Sequence, residues 1–199
     1  ILALAPLFAA PASAQTWPSR NIRVIVPFPA GGVADIGARL VSQKLAEALG
    51  QPAVIENRAG AGGSIGSNVV AKAAPDGYTL LVNSSAHAVN PAIYAKMPYE
   101  TTKDFTDIAP LSELPNVLVV NGGSRFKTLA DLVGYGKANP GKINFGHAGV
   151  GSGTHLNTVK LITAADIQVT QVPFKGTPEV VQAIFSGAVD CYWVPISAG

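Results

Sequence analysis

The sequence has little of what most enzymes and nucleic-acid-binding proteins are built from. A single cysteine, Cys191, cannot form an internal disulfide, and within its apolar segment it reads as a small buried hydrophobe rather than a nucleophile. Charged residues are only 13% of the 199, against 48% hydrophobic, which excludes a disordered chain and a charge-laced coiled coil. The 14 basic and 12 acidic residues are scattered, with no run of either sign that would track a phosphate backbone, so no nucleic-acid partner is expected. His87, His147 and His155 have no metal-type spacing and no cysteine or carboxylate cluster beside them, which argues against a zinc site.

The chain opens with ILALAPLFAAPASAQ, uncharged and apolar, ending in Ala12-Ser13-Ala14. That small-x-small ending predicts a partial signal peptide over residues 1–14 with cleavage before Gln15. The stretch is too short and too rich in proline (Pro6, Pro11) to span a bilayer. An exported, disulfide-free domain of this size suits a bacterial periplasm.

The remaining sequence alternates strand and helix patterns. Residues 22–27 read as a buried strand, 35–49 as a helix closed by Gly50, 53–56 as a strand, 64–74 as a helix and 78–83 as a strand. This βαβαβ order requires a parallel sheet with right-handed crossovers. A proline-punctuated stretch (Pro91, Pro98, Pro110, Pro115) follows, and then the pattern restarts: strands at 117–121, 142–145, 169–173 and 189–194, helices at 128–139, 154–165 and 177–186.

Four strand-to-helix turns carry the residues of interest. VPFPAGGVAD (26–35) sits where open α/β sheets bind ligands and where free N–H groups favour an anion; Gly31 and Gly32 admit close approach, and Asp35 is either a ligand contact or a helix-capping acid. It lacks the Gly-Lys-Ser/Thr of a nucleotide P-loop. NRAGAGGSIGSN is glycine-rich at Gly60, Gly62 and Gly66, but it lies on the second βα turn, and Asn83 stands where a dinucleotide site wants an acid. GHAGVGSGTHL gathers Ser152, Thr154 and His155 at a helix start, as N-cap or ligand site; Val150 and Thr154 occupy the glycine positions of a hydrolase elbow. VPFKGTPE brings Lys175, Gly176 and Thr177, with Lys175 either a charge for a carboxylate or a solvated surface lysine.

In order, the blocks WPSRNIRVIVPFPAGGVADIGARL, LGQPAVIENRAGAGGSIGSNVVAKAAPDGYTLLV, NPAIYAKMPYETTKDFTDIAPL, PGKINFGHAGVGSGTHL and VPFKGTPEVVQAIFSGAVD resemble the solute-binding receptors of tripartite tricarboxylate transporters. The resemblance covers nearly the whole mature chain. It implies an α/β, two-lobed periplasmic binding protein of type II (Venus flytrap). Such a receptor closes on a small carboxylate and delivers it to membrane permease subunits, as a monomer, without cofactor or catalysis. The implied division is 15–116 for the first lobe, 117–194 for the second and 195–199 for the start of the return crossover, with closure about strands near Leu118 and Cys191. Family members run on past Gly199 to complete the first lobe, so an incomplete first lobe and a longer natural protein are expected.

Residue by residue, the resemblance assigns Phe28, Ala30, Gly31, Gly32 and Asp35 to the first-lobe side of the cleft, with Ser84, Ser85 and His87 in the loop after the third strand. Ala148, Gly149, Ser152, Thr154 and His155 fall in the second-lobe loop, Lys175, Gly176 and Thr177 in the loop that closes over the ligand, and Asp190 in the late strand. Two departures bear on the ligand: Ala34 replaces the usual threonine, and His147 stands where the family has a small or hydroxylated residue. The rival functions are a receptor that reports to a signalling partner, a hydrolase using Ser152 with His155, and a dehydrogenase using the loop at Gly60; the two enzymes lack their required context.

Overall fold

The computed structural model describes residues 16–113 and 115–196; the predicted leader and its cleavage point lie outside the described residues. The first unit is a parallel sheet of order β2-β1-β3, formed by β1 (Ile22–Val26), β2 (Ala53–Asn57) and β3 (Thr79–Leu81). Its central strand is an apolar run interrupted only by Arg23, as a strand covered on both faces must be. Arg23 escapes to the surface, where it pairs with Glu56 at 2.7 Å. Helices α1 (Val33–Leu49) and α2 (Ser64–Ala71) supply the crossovers, and Gly50 ends α1 in the left-handed conformation that the sequence predicts for it. The core here is Ile22, Val24, Val26 and Ala38, while Leu40, Val54 and Ile65 remain exposed.

An eight-residue helix, α3 (Ala86–Ile93), follows β3; sequence reasoning places no helix there, because Pro91 reads as a break. Pro91 sits in the last turns of a short helix, where only one amide is lost.

The second unit has the order β4-β7-β5-β6, from β4 (Asn116–Val120), β5 (Asn144–His147), β6 (Thr170–Pro173) and β7 (Cys191–Pro195). β5, β6 and β7 are parallel, and β4 runs antiparallel to β7. Helices α4 (Leu129–Ala138), α5 (Gly153–Ala165) and α6 (Thr177–Ser186) cover the faces; α4 opens with a full capping box between Thr128 and Asp131. β7 faces two cores at once: Cys191 packs with Leu132, Ile143 and Phe145, and Tyr192 with Val180, Ile184 and Val189. Cys191 is fully buried, and that burial pushes its thiol far above its ordinary range.

Between the units, Asn116 of β4 pairs with Pro195 of β7, and Ile196 N–H donates to the Pro115 carbonyl at 3.0 Å. The entry to the second unit thus lies beside the carboxyl end of β7. Leu118 and Cys191, near which closure is expected, lie inside the second sheet, Leu118 opposite Trp193 and Cys191 opposite Val120.

Phe145, at 0% exposure, should cost about 3–5 kcal/mol when replaced by alanine, and Phe185, 75% exposed at the end of α6, within about 0.5 kcal/mol. Urea unfolding of Phe145→Ala and Phe185→Ala checks this; equal costs would contradict the assigned core.

Candidate functional site

A cavity of about 490 Å³ lies between the two units. Its walls are the turns that leave the carboxyl ends of β1 (Phe28, Gly32), β3 (Ser84, Ser85), β5 (Ala148, Ser152) and β6 (Gly176, Thr177), closed by the crossover residues Asn116 and Pro195. Among the described residues, none that lines it carries a charged side chain. Ala34, Val33, Leu81 and Leu111 make part of the wall apolar.

The polarity comes from the backbone. Helices α1, α3, α5 and α6 all begin at this cavity, each offering first-turn N–H groups and the positive end of its dipole. The N-caps of α1 and α6 are Gly32 and Gly176, and neither helix has a side-chain cap. Their first-turn amides are thus not taken up by a capping side chain.

Hydroxyls add donors on the second-unit side. Thr154 Oγ1 accepts from Ala148 N–H at 3.0 Å, Ser152 Oγ accepts from His155 N–H at 3.3 Å, and the two hydroxyls lie 3.0 Å apart. The mutual bond uses one hydroxyl proton and leaves the other to donate elsewhere. Thr177 Oγ1 and Tyr192 Oη form a second pair at 2.9 Å. Burial raises the Tyr192 phenol above its ordinary value, against the opposing effect of hydrogen bonds from Thr177 and Thr154, so it is a neutral hydroxyl here.

Of the residues proposed from sequence, Phe28, Gly32, Ser84, Ser85, Ala148, Ser152, Thr154, Gly176 and Thr177 line the cavity, and the others do not. Asp35, 2% exposed, turns back into its own loop, accepting from Gly31 N–H, Arg39 Nε and Asn57 Nδ2, each at 2.9 Å. Burial alone would raise its pKa, but these donors outweigh it and hold the carboxyl below its usual range. Asp35 therefore shapes the turn that carries Ala30 and Gly31, which are themselves exposed away from the cavity. Lys175 is on the surface, with its backbone N–H on Glu179 at 3.0 Å. Asp190 accepts from Asn144 N–H at 2.8 Å at the amino ends of β5 and β7, away from the carboxyl ends that face the cavity.

His87 is on α3 rather than in a loop, packed against Tyr99 and Phe105 with ring centroids 5.7 and 4.6 Å away, and burial lowers its pKa despite Asp107. His147 ends β5, 2% exposed and 4.6 Å from His155 between ring centroids. Gly149 follows it at φ 106° in the turn behind the lining. His155 Nδ1 accepts from Gly151 N–H at 3.2 Å, so the imidazole serves its own loop and is no base for Ser152, whose oxygen accepts a backbone amide. Burial lowers its pKa as well.

Residues that sequence reasoning missed include Asn83, Asn116 and Pro195 and the segment Ala109–Ser112. The signal for that segment was present in Pro110, which with Pro115 marks an extended connection between the units.

A sequence profile for the tripartite tricarboxylate transporter family receptor matches residues 37–198. The UPF0065 protein of the tcbD-tcbE intergenic region of Pseudomonas sp. strain P51 is 42% identical over 176 residues, which are 88% of this chain and 52% of that protein. Among solved structures, R. palustris Rpa4515 with adipate matches with a TM-score of 0.88 at 34% identity, and MatC from Rhodopseudomonas palustris with bound malate with 0.85 at 38%; each match covers 92% of this chain and 62% of the other. The chain thus spans about half the length of this curated relative. Its α/β architecture is that of the periplasmic binding proteins.

Two outcomes test the electrostatics. Asp35→Ala strands three donors and should destabilise the protein by about 2–4 kcal/mol, measured by urea unfolding at pH 7. His147 is held, first by burial and then by the neighbouring His155 against a raising contact from Gly149, from an ordinary 6.5 down to about 4. The unfolded chain therefore binds this proton at a higher pH than the native state, and stability falls as pH drops from 6.5 towards 4. Between pH 7.5 and 5 the parent should lose about 2 kcal/mol more than His147→Gln.

Proposed function

The chain belongs to the tripartite tricarboxylate transporter receptor family, and from that premise we propose that it is a periplasmic receptor that captures a small carboxylate between its two lobes and passes it to membrane permease subunits. The observation that carries the reading is the convergence of four helix N-termini, three of them (α1, α3 and α6) without side-chain caps, on a cavity lined, among the described residues, by no charged side chain. Such a site recognises an anion through N–H groups and hydroxyls rather than through a guanidinium clamp. Each charge-assisted hydrogen bond contributes about 1.5–3 kcal/mol, so three or four support micromolar binding once the entropy of association is set against them.

The ligand is a carboxylate with a hydrocarbon portion. Ala34 lines the cavity with a methyl group where a threonine would offer a hydroxyl, and Phe28, Val33 and Leu81 extend that apolar wall. Dicarboxylates such as the adipate and malate held by the similar structures are the first compounds to test. The lobes are residues 15–116 and 117–194, with export directed by the N-terminal leader. Binding without chemistry is the role: Ser152 has no base, and the glycine turn at Gly60 lies outside the cavity lining.

A thermal-shift screen of the full chain against dicarboxylates, tricarboxylates and aromatic acids, with nucleotides as controls, tests the reading. A ligand at about 100 times its Kd should stabilise by about 2.7 kcal/mol. A rise confined to one carboxylate class is expected; silence with every carboxylate together with a shift for a dinucleotide would sink the receptor.

A further inference from the structure

Behind the cavity the two units meet again, through residues that do not line it. Asn90, fully buried on α3, donates through Nδ2 to the Gly62 carbonyl at 2.9 Å, and its Oδ1 is buried without a hydrogen-bond partner. That oxygen is wedged between two glycines of different units: a Cβ on Gly62 would lie 3.2 Å from it, and one on Gly151 only 2.5 Å. A Cβ on Gly62 would also fall 2.5 Å from the Val150 carbonyl oxygen across the interface, and one on Gly151 3.3 Å from Ile93 Cδ1. Both glycines have positive φ, +60° and +83°, so the turns themselves favour a residue without Cβ. At this separation of the units, neither position has room for a side chain.

The contact is coupled to the cavity from both sides. α3 presents its first residues beside Ser85 at the cavity and, one turn further on, Asn90 at this seam. Gly151 directly precedes Ser152, the N-cap of α5, and its N–H donates to His155 Nδ1, so a shift of Gly151 moves the cavity-lining start of α5. We propose that Asn90, with Gly62 and Gly151, forms a positioning contact that sets how closely the lobes approach, and so how long a bound carboxylate is retained, without touching it. The proposal rests on the receptor reading above.

The test has a readout that needs no ligand. Nitroxide labels on Gln43→Cys and Lys160→Cys, exposed sites on α1 and α5, report the distance between the lobes by pulsed electron resonance, with the buried Cys191 shielded from labelling. In the full chain, Gly151→Ala should lengthen and broaden that distance and raise the dissociation rate of adipate or malate roughly tenfold. Adding Asn90→Ala removes the atom that the new methyl meets and should restore the parental distance. Gly134→Ala, on α4 with nothing within 4 Å of its Cβ position, should behave as the parent. An unchanged distance and dissociation rate in Gly151→Ala would overturn the proposal, as would a widening that Asn90→Ala leaves undiminished, since strain at the backbone of residue 151 would then be the cause. Should Gly151→Ala fail to fold, Gly62→Ala carries the same test, with widening expected and an unchanged distance overturning it. A parent that binds no carboxylate would count against the receptor reading alone, because the distances still decide the seam.

Discussion

Each parallel βα turn in this molecule leaves the carboxyl end of a strand and starts a helix, and the two units face each other so that the starts of α1, α3, α5 and α6 surround one space. The aligned peptide dipoles give each start roughly half a positive charge, with donors already oriented. A site of this kind attracts an anion without burying a cation when it is empty, and so avoids the desolvation that a buried arginine would impose. An inward-facing side-chain carboxylate would be held by the same field and would compete for the site with an anion from outside. Asp35, buried nearby, is turned away and held by Arg39, Asn57 and the Gly31 amide, so that it shapes the first loop and leaves the helix starts to the cavity.

Much of this was legible in the sequence because it follows from local periodicity and turn chemistry. The apolar run of β1, the helical spacing of α1 closed by Gly50, and the proline in the first turn of α6 are local signals, and the structure follows them. Helix α3 was not legible, since a proline in a short helix looks the same as a proline in a loop. β5 extends two residues further than its pattern suggests: Gly146 reads as the start of a loop, yet it is a strand residue packed so closely under Val180 that a Cβ would sit 2.6 Å from that side chain. That extension moves His147 out of the loop and into the buried end of the strand. The direction of Asp35 depends partly on Asn57, 22 residues away, which no local pattern discloses. Asp190 is different, because its place was inferable: a residue at the amino end of a parallel strand lies opposite the carboxyl ends where ligands gather.

Because β4 runs antiparallel to β7, Asn116, where the chain enters the second unit, lies beside Pro195 at the end of β7 in the same ladder. At the cavity mouth, between the α1 and α6 starts, the ring of Pro29 stands 2.9 Å from the position a Cβ on Gly176 would take.

A site made of dipoles depends on closure more than a site made of charges. Hydrogen bonds from amides to a carboxylate contribute little net free energy while water competes for both partners, and they strengthen as water leaves and the local dielectric falls. Affinity in such a receptor is therefore a property of the separation between its lobes as much as of the residues that touch the ligand. The two units stand against one another at Pro29 and Gly176 at the mouth and at Asn90 between Gly62 and Gly151 behind, where none of Gly176, Gly62 and Gly151 has room for a Cβ at this separation. With glycine on one side of each contact, the helix starts of the two units come near enough to border the same cavity.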